Sequence, residues 1–154
     1  GPGRSGRSSM TLVERLRKGT RFHPTGSNAV VDARDVAHWM VSVMEHGISG
    51  ERYLLVGENL SYQRLFALLS TALGQTVPSI PLPAWSLELA WRVERLRTLL
   101  TGSTPFITRD TAHSARSHRS YSSAKILALL PHRPYSAEEA IANVARFLAG
   151  TAHQ

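Results

Sequence analysis

Apolar positions along this chain recur mainly at the helical period. Val36, Trp39, Met40, Val43 and Met44 fall at i, i+3, i+4, i+7 and i+8, which predicts a helix over 36–46 with one buried stripe. Asp35 serves as its N-cap and Gly47 as its stop. An earlier helix is predicted over 10–18, with Thr11 and Glu14 at capping-box spacing and Gly19 at its end. Ser61 caps a helix through Leu73, closed by Gly74. Trp85, Leu89, Val93 and Leu96 place a long amphipathic helix over 84–100, with Gly102 beyond it. Thr108 caps a short basic helix and Ser122 or Ser123 another, while Ser136 and Glu139 form a capping box for a last helix to Leu148.

The extended segments are fewer. Tyr53-Leu54-Leu55-Val56 is a continuous apolar run, as in a parallel strand covered on both faces, and the loop Gly57-Glu58-Asn59 follows it. Ala29-Val30-Val31 reads as a brief strand, preceded by a short extended piece over 21–23 and the turn Pro24-Thr25-Gly26. Residues 76–83 alternate proline with apolar side chains, and each proline lacks a donor and restrains its predecessor, so the stretch is extended. Residues 1–9 hold only Gly, Pro, Ser and Arg and read as a flexible arm, with 151–154 as a tail. Gly1-Pro2 is also compatible with a processing remnant ahead of a true start at Met10. The sum is α/β but predominantly helical, with too few strands for an independent sheet.

Composition narrows the class. A hydrophobic share of 42% and a charged share of 19% over 154 residues is that of a globular domain. No cysteine is present, which removes disulfides, thiolate metal sites and cysteine nucleophiles. Apolar runs reach only four or five residues, and no charged-then-apolar leader opens the chain, so the expectation is a soluble cytoplasmic protein without a membrane partner. Eighteen basic against 11 acidic residues give a formal charge of +7. A basic helical module binding nucleic acid or an acidic protein is therefore the alternative reading. Nucleic acid is disfavoured, because the arginines are dispersed and the densest stretch, 109–119, carries no aromatic to stack a base.

Several motifs invite chemistry. Gly1, Gly3 and Gly6 match G-x-G-x-x-G, but the motif needs a preceding strand, and Pro2 removes a backbone donor. Tyr121 and Lys125 match the Y-x-x-x-K spacing of a proton-transferring phenol and its lysine. Here the pair reads as a helix N-terminal turn with a surface lysine. The seven histidines show no metal-ligand spacing, and His113 and His118 flank a basic segment that would repel a cation. Trp85 and Trp91 suit a core or interface stripe.

Val30-Val31-Asp32-Ala33-Arg34-Asp35-Val36-Ala37 resembles the strand-to-helix junction of extended short-chain dehydrogenases/reductases, the NAD-dependent epimerase/dehydratase family. Gly1-Pro2-Gly3, the 51–61 segment, Thr108 to Ala112, Tyr121 to Lys125, and Pro134 with Ser136 to Glu139 are similar to that family's elements in the same order. Asn28 and Ala29 stand where nucleotide-sugar epimerases carry an Arg-Asp pair, so the pattern looks more like the dihydroflavonol-reductase-like branch.

The resemblance implies that residues 10–150 are the C-terminal, substrate-binding portion of an NAD(P)-dependent oxidoreductase or epimerase acting on a small carbonyl or alcohol. It places the cofactor site and the Tyr/Lys catalytic pair in a Rossmann half ahead of Gly1. This chain alone is then expected to carry no catalytic, cofactor or metal residue. Tyr53 to Val56 would be the last strand of that incomplete Rossmann sheet. Its partners would be a small-molecule substrate and the missing half or a pairing chain, and NAD or NADP would belong to the complete enzyme. Ser8, Ser9, Asn28 and Arg116 are the candidates for lining the substrate pocket.

Overall fold

The structure, a computed structural model, describes residues 9–102 and 109–151. The expectations at Gly1, Gly3, Gly6, Ser8 and Thr108 lie outside the described residues. Helix α1 (Ser9–Arg17) turns Val13 and Leu16 inward, three residues apart on one face. There they meet Phe66 and Leu69 of α3 (Tyr62–Ala72) and Ile141 of α7 (Ala137–Thr151), and these five side chains form the main core. Gly19 then takes φ 77°, a left-handed conformation that a side chain would strain.

Two short sheets are present among the described residues. Strand β1 (Phe22–His23) pairs in parallel with β4 (Ile80–Pro81), and β2 (Ser27–Val30) pairs antiparallel with β3 (Glu58–Ser61), Ser27 opposite Ser61. This corrects the expected strand positions. Tyr53 to Val56 joins no strand among the described residues, and the strand forms instead where a loop was expected. A doubly covered apolar strand needs a neighbour to hydrogen-bond and a layer on each face. Here the Val30 carbonyl accepts from Gly57 N–H at 3.0 Å, and β3 takes the adjoining edge of β2. Val56 is buried, while Leu54 stands 58% exposed.

The other edge of β2 is occupied by the chain after α5 (Arg109–Arg116). Gly26 N–H donates to the Ala115 carbonyl at 2.9 Å and Ser27 N–H to the Ser117 carbonyl at 3.0 Å, while Arg119 N–H returns to the Ser27 carbonyl at 3.2 Å. A Cβ on Gly26 would fall 2.5 Å from the Ser117 carbonyl oxygen and 2.9 Å from that of Ala115, both rigid backbone atoms. Only glycine allows this approach.

Helix α2 (Ala33–His46) starts differently from expectation. Its N-cap is Asp32, whose Oδ1 accepts from Arg34 N–H at 2.8 Å, while Arg34 Nε and Nη2 reach the two carboxylate oxygens at 3.0 and 2.9 Å. Asp35 is fully buried instead. The predicted single stripe is also corrected: Trp39 is buried and Val36 and Val43 are half-buried, but Met40 is 58% and Met44 85% exposed. Helix α4 (Ala84–Thr101) packs on α5 and leaves Trp85 68% exposed, with Trp91 half-buried on the inner side. Gly102 closes it at φ 66°.

Helix α6 (Ala124–Leu129) gains one cap bond, from Ala124 N–H to the Ser122 hydroxyl at 3.2 Å. The capping box at α7 forms as expected: Ser136 N–H donates to Glu139 Oε2 at 2.7 Å and Glu139 N–H to Ser136 Oγ at 3.2 Å.

Gly26→Ala should destabilise the chain by about 1–3 kcal/mol, since the backbone on both sides of the contact must shift. Urea denaturation with an unchanged midpoint would refute the close approach. The Arg34 hydrogen bonds hold the Asp32 carboxyl below its ordinary value of 3.8. A depressed acid stabilises the fold above that ordinary value and loses its contribution as pH falls through the lower folded-state value. Asp32→Ala should therefore cost about 1 kcal/mol at neutral pH, and the difference from the parent protein should shrink below about pH 4. Chemical denaturation at pH 7 and pH 3 measures both.

Candidate functional site

The register at Gly26 fixes where α5 ends, and thereby the position of an open pocket of about 570 Å3 between α4 and α5. Trp85 and Glu88 of α4 face Arg109, Asp110, His113 and Arg116 of α5 across it. Arg109, His113 and Arg116 fall at i, i+4 and i+7, so one face of α5 presents all three donors to the pocket. Ala112 is buried on the other face. Glu88 is drawn toward Arg92 at 3.1 Å. The pocket thus offers one indole face, two guanidinium groups and an imidazole beside two carboxylates. Such a set can hold a polar oxygen of a planar organic molecule against an apolar surface.

Of the four residues expected to line a substrate pocket, Arg116 lines the opening between α4 and α5. Asn28 lies on β2, the strand that Gly26 ties to the end of α5, and its Oδ1 accepts from Ala29 N–H at 2.9 Å. Ser9 opens α1, which packs on α3. A second, apolar cleft of about 270 Å3 lies over β2 between α1, α3 and α7, with Val30, Leu65 and Ile141 in its walls.

Tyr121 precedes α6 rather than starting it, so the pair with Lys125 does not share a helical turn. Asn59 holds the Tyr121 backbone with a reciprocal pair of hydrogen bonds at 2.8 and 2.9 Å. The Lys125 ammonium donates to Glu51 Oε2 and lies 5.2 Å from the Tyr53 ring centroid. Lys125 is thus a partly exposed tether that reaches the 51–53 segment.

One polar cluster was not anticipated. His132 Nε2 donates to Asp35 Oδ1 at 2.7 Å, and Tyr135 N–H donates to Oδ2 at 3.0 Å. The His132 ring stacks on His38 at 4.4 Å and meets the Trp39 ring edge-on at 5.3 Å. Arg34 lies over the Tyr135 ring at 3.8 Å. This clasp fastens the start of α2 to the link between α6 and α7. Its signal was in the sequence: Asp35 is four residues from Trp39 and shares the inward face, where a cap would not point.

The described residues do not fit a dinucleotide. The parallel pair β1–β4 has two residues in each strand, and neither leads through a Gly-rich turn into a helix. Three helix N-termini that could receive a pyrophosphate are already capped. Asp32 caps α2, Ser61 Oγ accepts from Arg64 N–H at 3.2 Å on α3, and Glu139 and Glu58 accept from the first amides around α7 at 2.7 and 3.1 Å. The carboxylates at α2 and α7 repel a phosphate, and all three caps occupy donors it would use. Among the described residues, no group of His, Cys, Asp or Glu could hold a metal ion, and no helix is long and apolar enough to cross a membrane.

Comparison with known proteins agrees with the family pattern. The chain is 32% identical over 124 residues to a "Putative dihydroflavonol 4-reductase" of Synechocystis sp., a match covering 77% of this chain. The chain belongs to the NAD-dependent epimerase/reductase-like family. No family model matches it. The fold of this family member is similar to the crystal structure of gox2253, with a TM-score of 0.72 at 23% identity over 94% of the chain. The chain spans 36% of the length of the Synechocystis protein and 44% of the gox2253 chain.

If the buried Asp35–His132 contact carries the α2 clasp, each alanine variant should cost about 1–3 kcal/mol, because each strands a buried polar partner. Asp35→Ala/His132→Ala should cost less than the sum of the two, with a coupling of about 0.5–3 kcal/mol. Strictly additive losses in thermal denaturation would show that the two side chains act separately.

Proposed function

We propose that this chain is the substrate-shaping, C-terminal portion of an NAD(P)-dependent oxidoreductase of the dihydroflavonol-reductase-like branch, acting on a small carbonyl or alcohol compound. The observation that carries the reading is the α4/α5 pocket. Its aromatic side chain and its row of donors suit a planar organic substrate with a polar oxygen, in a chain whose α2, α3 and α7 N-termini are already capped. Trp85 would lie against the substrate, and Arg116 or His113 would hold its oxygen. Hydride transfer between nicotinamide and substrate carbon is the chemistry NAD(P) supplies when bound, and this chain's part is to orient the substrate.

The cofactor and the proton-transferring tyrosine would come from a Rossmann half supplied outside these residues. Two features support that placement. The apolar run 53–56 has the composition of a central parallel strand but pairs with no strand among the described residues. Met40, Met44 and Ile48 on and just after α2, together with Leu54, are apolar and more than half exposed. A sheet layer built on the 53–56 run would cover such a surface.

Calorimetric titration of the 154-residue chain with NADH and NADPH should show no binding beyond that of an unrelated protein. Micromolar affinity would place a cofactor site within this chain and overturn the assignment. A panel of small aromatic carbonyl compounds and their alcohols should quench tryptophan emission at millimolar or lower concentration. The quenching should vanish in Trp85→Phe and weaken several-fold in Arg116→Ala. Equal quenching in Trp85→Phe would remove the pocket from the proposal.

A further inference from the structure

The pocket between α4 and α5 holds a charge that positioning a neutral substrate leaves unused. Of its two carboxylates, Glu88 is committed to Arg92 at 3.1 Å, and Arg92 does not line the pocket. Asp110 is then the one carboxylate left to offset Arg109 and Arg116, and none of these three forms an ion pair among the described residues. Two guanidinium groups against one carboxylate leave an excess of one positive charge, before His113 is counted. The row of donors also has a length. Arg109 and Arg116 are seven residues apart, so their backbones are separated by about 10.5 Å along α5, with His113 between them. Holding the reacting oxygen employs Arg116 or His113, at one end of the row. Arg109, at the other end, has no part in that contact.

We infer that the substrate is an aromatic carbonyl or alcohol bearing a single carboxylate, and that Arg109 selects it by pairing with that carboxylate. The inference deepens the proposed function and rests on the same pocket. A guanidinium presents its N–H groups as a planar fork that matches the two oxygens of a carboxylate, so Arg109 can hold that group with two parallel hydrogen bonds. Arginine side chains are long and flexible enough to draw in from both ends of the row onto one ring with oxygen functions at its two ends. The exposed indole of Trp85 gives that ring a flat apolar neighbour. The charge balance favours a monoanion. A phosphate monoester carries close to two negative charges at neutral pH, which exceeds the surplus and sets the second charge against Asp110 and Glu88. A neutral ring leaves the surplus unmatched. What separates Arg109 from an exposed arginine such as Arg119 is this company, since Arg119 lies outside the pocket.

Three probes of one shape separate the possibilities: para-formylbenzoate, a monoanion; para-formylbenzamide, its neutral counterpart; and para-formylphenyl phosphate, a dianion. Tryptophan quenching of the 154-residue chain gives the dissociation constant of each. At low ionic strength the benzoate should bind about fivefold tighter than the benzamide, and the phosphate no tighter than the benzoate. The benzoate advantage should fall below about twofold in about 0.5 M sodium chloride, because the pocket is open to solvent. Arg109→Gln should bring the ratio of the two dissociation constants close to unity, Arg109→Lys should keep part of it, and Arg119→Gln should leave it as in the parent chain. Equal affinity for benzoate and benzamide overturns the inference and leaves the proposed pocket standing. A preference that survives Arg109→Gln, or that falls as far in Arg119→Gln, reflects general positive charge and overturns it. Tighter binding of the phosphate overturns the carboxylate assignment. Absence of quenching by all three, the benzamide included, removes the pocket itself, and the proposed function fails together with the inference.

Discussion

The close approach of two backbones at Gly26 is the constraint on which the arrangement of this chain rests. The Gly26 and Ser27 amides donate to the carbonyls of Ala115 and Ser117, and the Gly26 carbonyl in turn accepts from Tyr62 N–H at 2.9 Å. One short stretch thereby links the end of α5, the start of β2 and the start of α3. A buried amide without a partner is costly, so such a junction holds only if all three segments keep their register. The pocket between α4 and α5 is a consequence, because its α5 wall cannot turn without breaking this junction.

Two aspartates three residues apart show how position divides the work of one side-chain type. Asp32 precedes the helix, so its carboxylate reaches the open amide of Arg34 and a guanidinium held nearby. Asp35 is one turn further on, inside the helix, and it faces the core. A carboxyl there is tolerated because both its oxygens have donors, His132 and the Tyr135 amide. The result is a polar fastening between elements about a hundred residues apart in sequence, set against the otherwise apolar packing of α1, α3 and α7.

The helices were largely legible in the sequence, because capping and periodicity act within a few residues. The α7 capping box and the spans of α3 and α4 are local consequences of Ser136 with Glu139, of Ser61, and of Gly102. The strands were not. Whether Tyr53 to Val56 or Glu58 to Ser61 pairs with β2 depends on which segment can reach a free edge, and no local pattern encodes that. Arg116 was singled out from the family pattern, and it lies in the opening between α4 and α5. Its companions Trp85, Arg109 and His113 could not be, since they converge only when α4 folds back on α5.

By itself, then, the sequence determined where the helices lie and most of their ends, the family pattern, and the absence of cysteine chemistry. These rest on local hydrogen bonding and on composition, which need no knowledge of distant residues. Tertiary structure alone decided which side of α2 and α4 is buried, which segment becomes β3, and that Asp35 meets His132. Those outcomes depend on competition among surfaces for a limited interior. An apolar stripe records that a helix has something to bury, and only the packed chain shows whether the core has taken it, as for Trp39, or left it outside, as for Leu89 and Leu96.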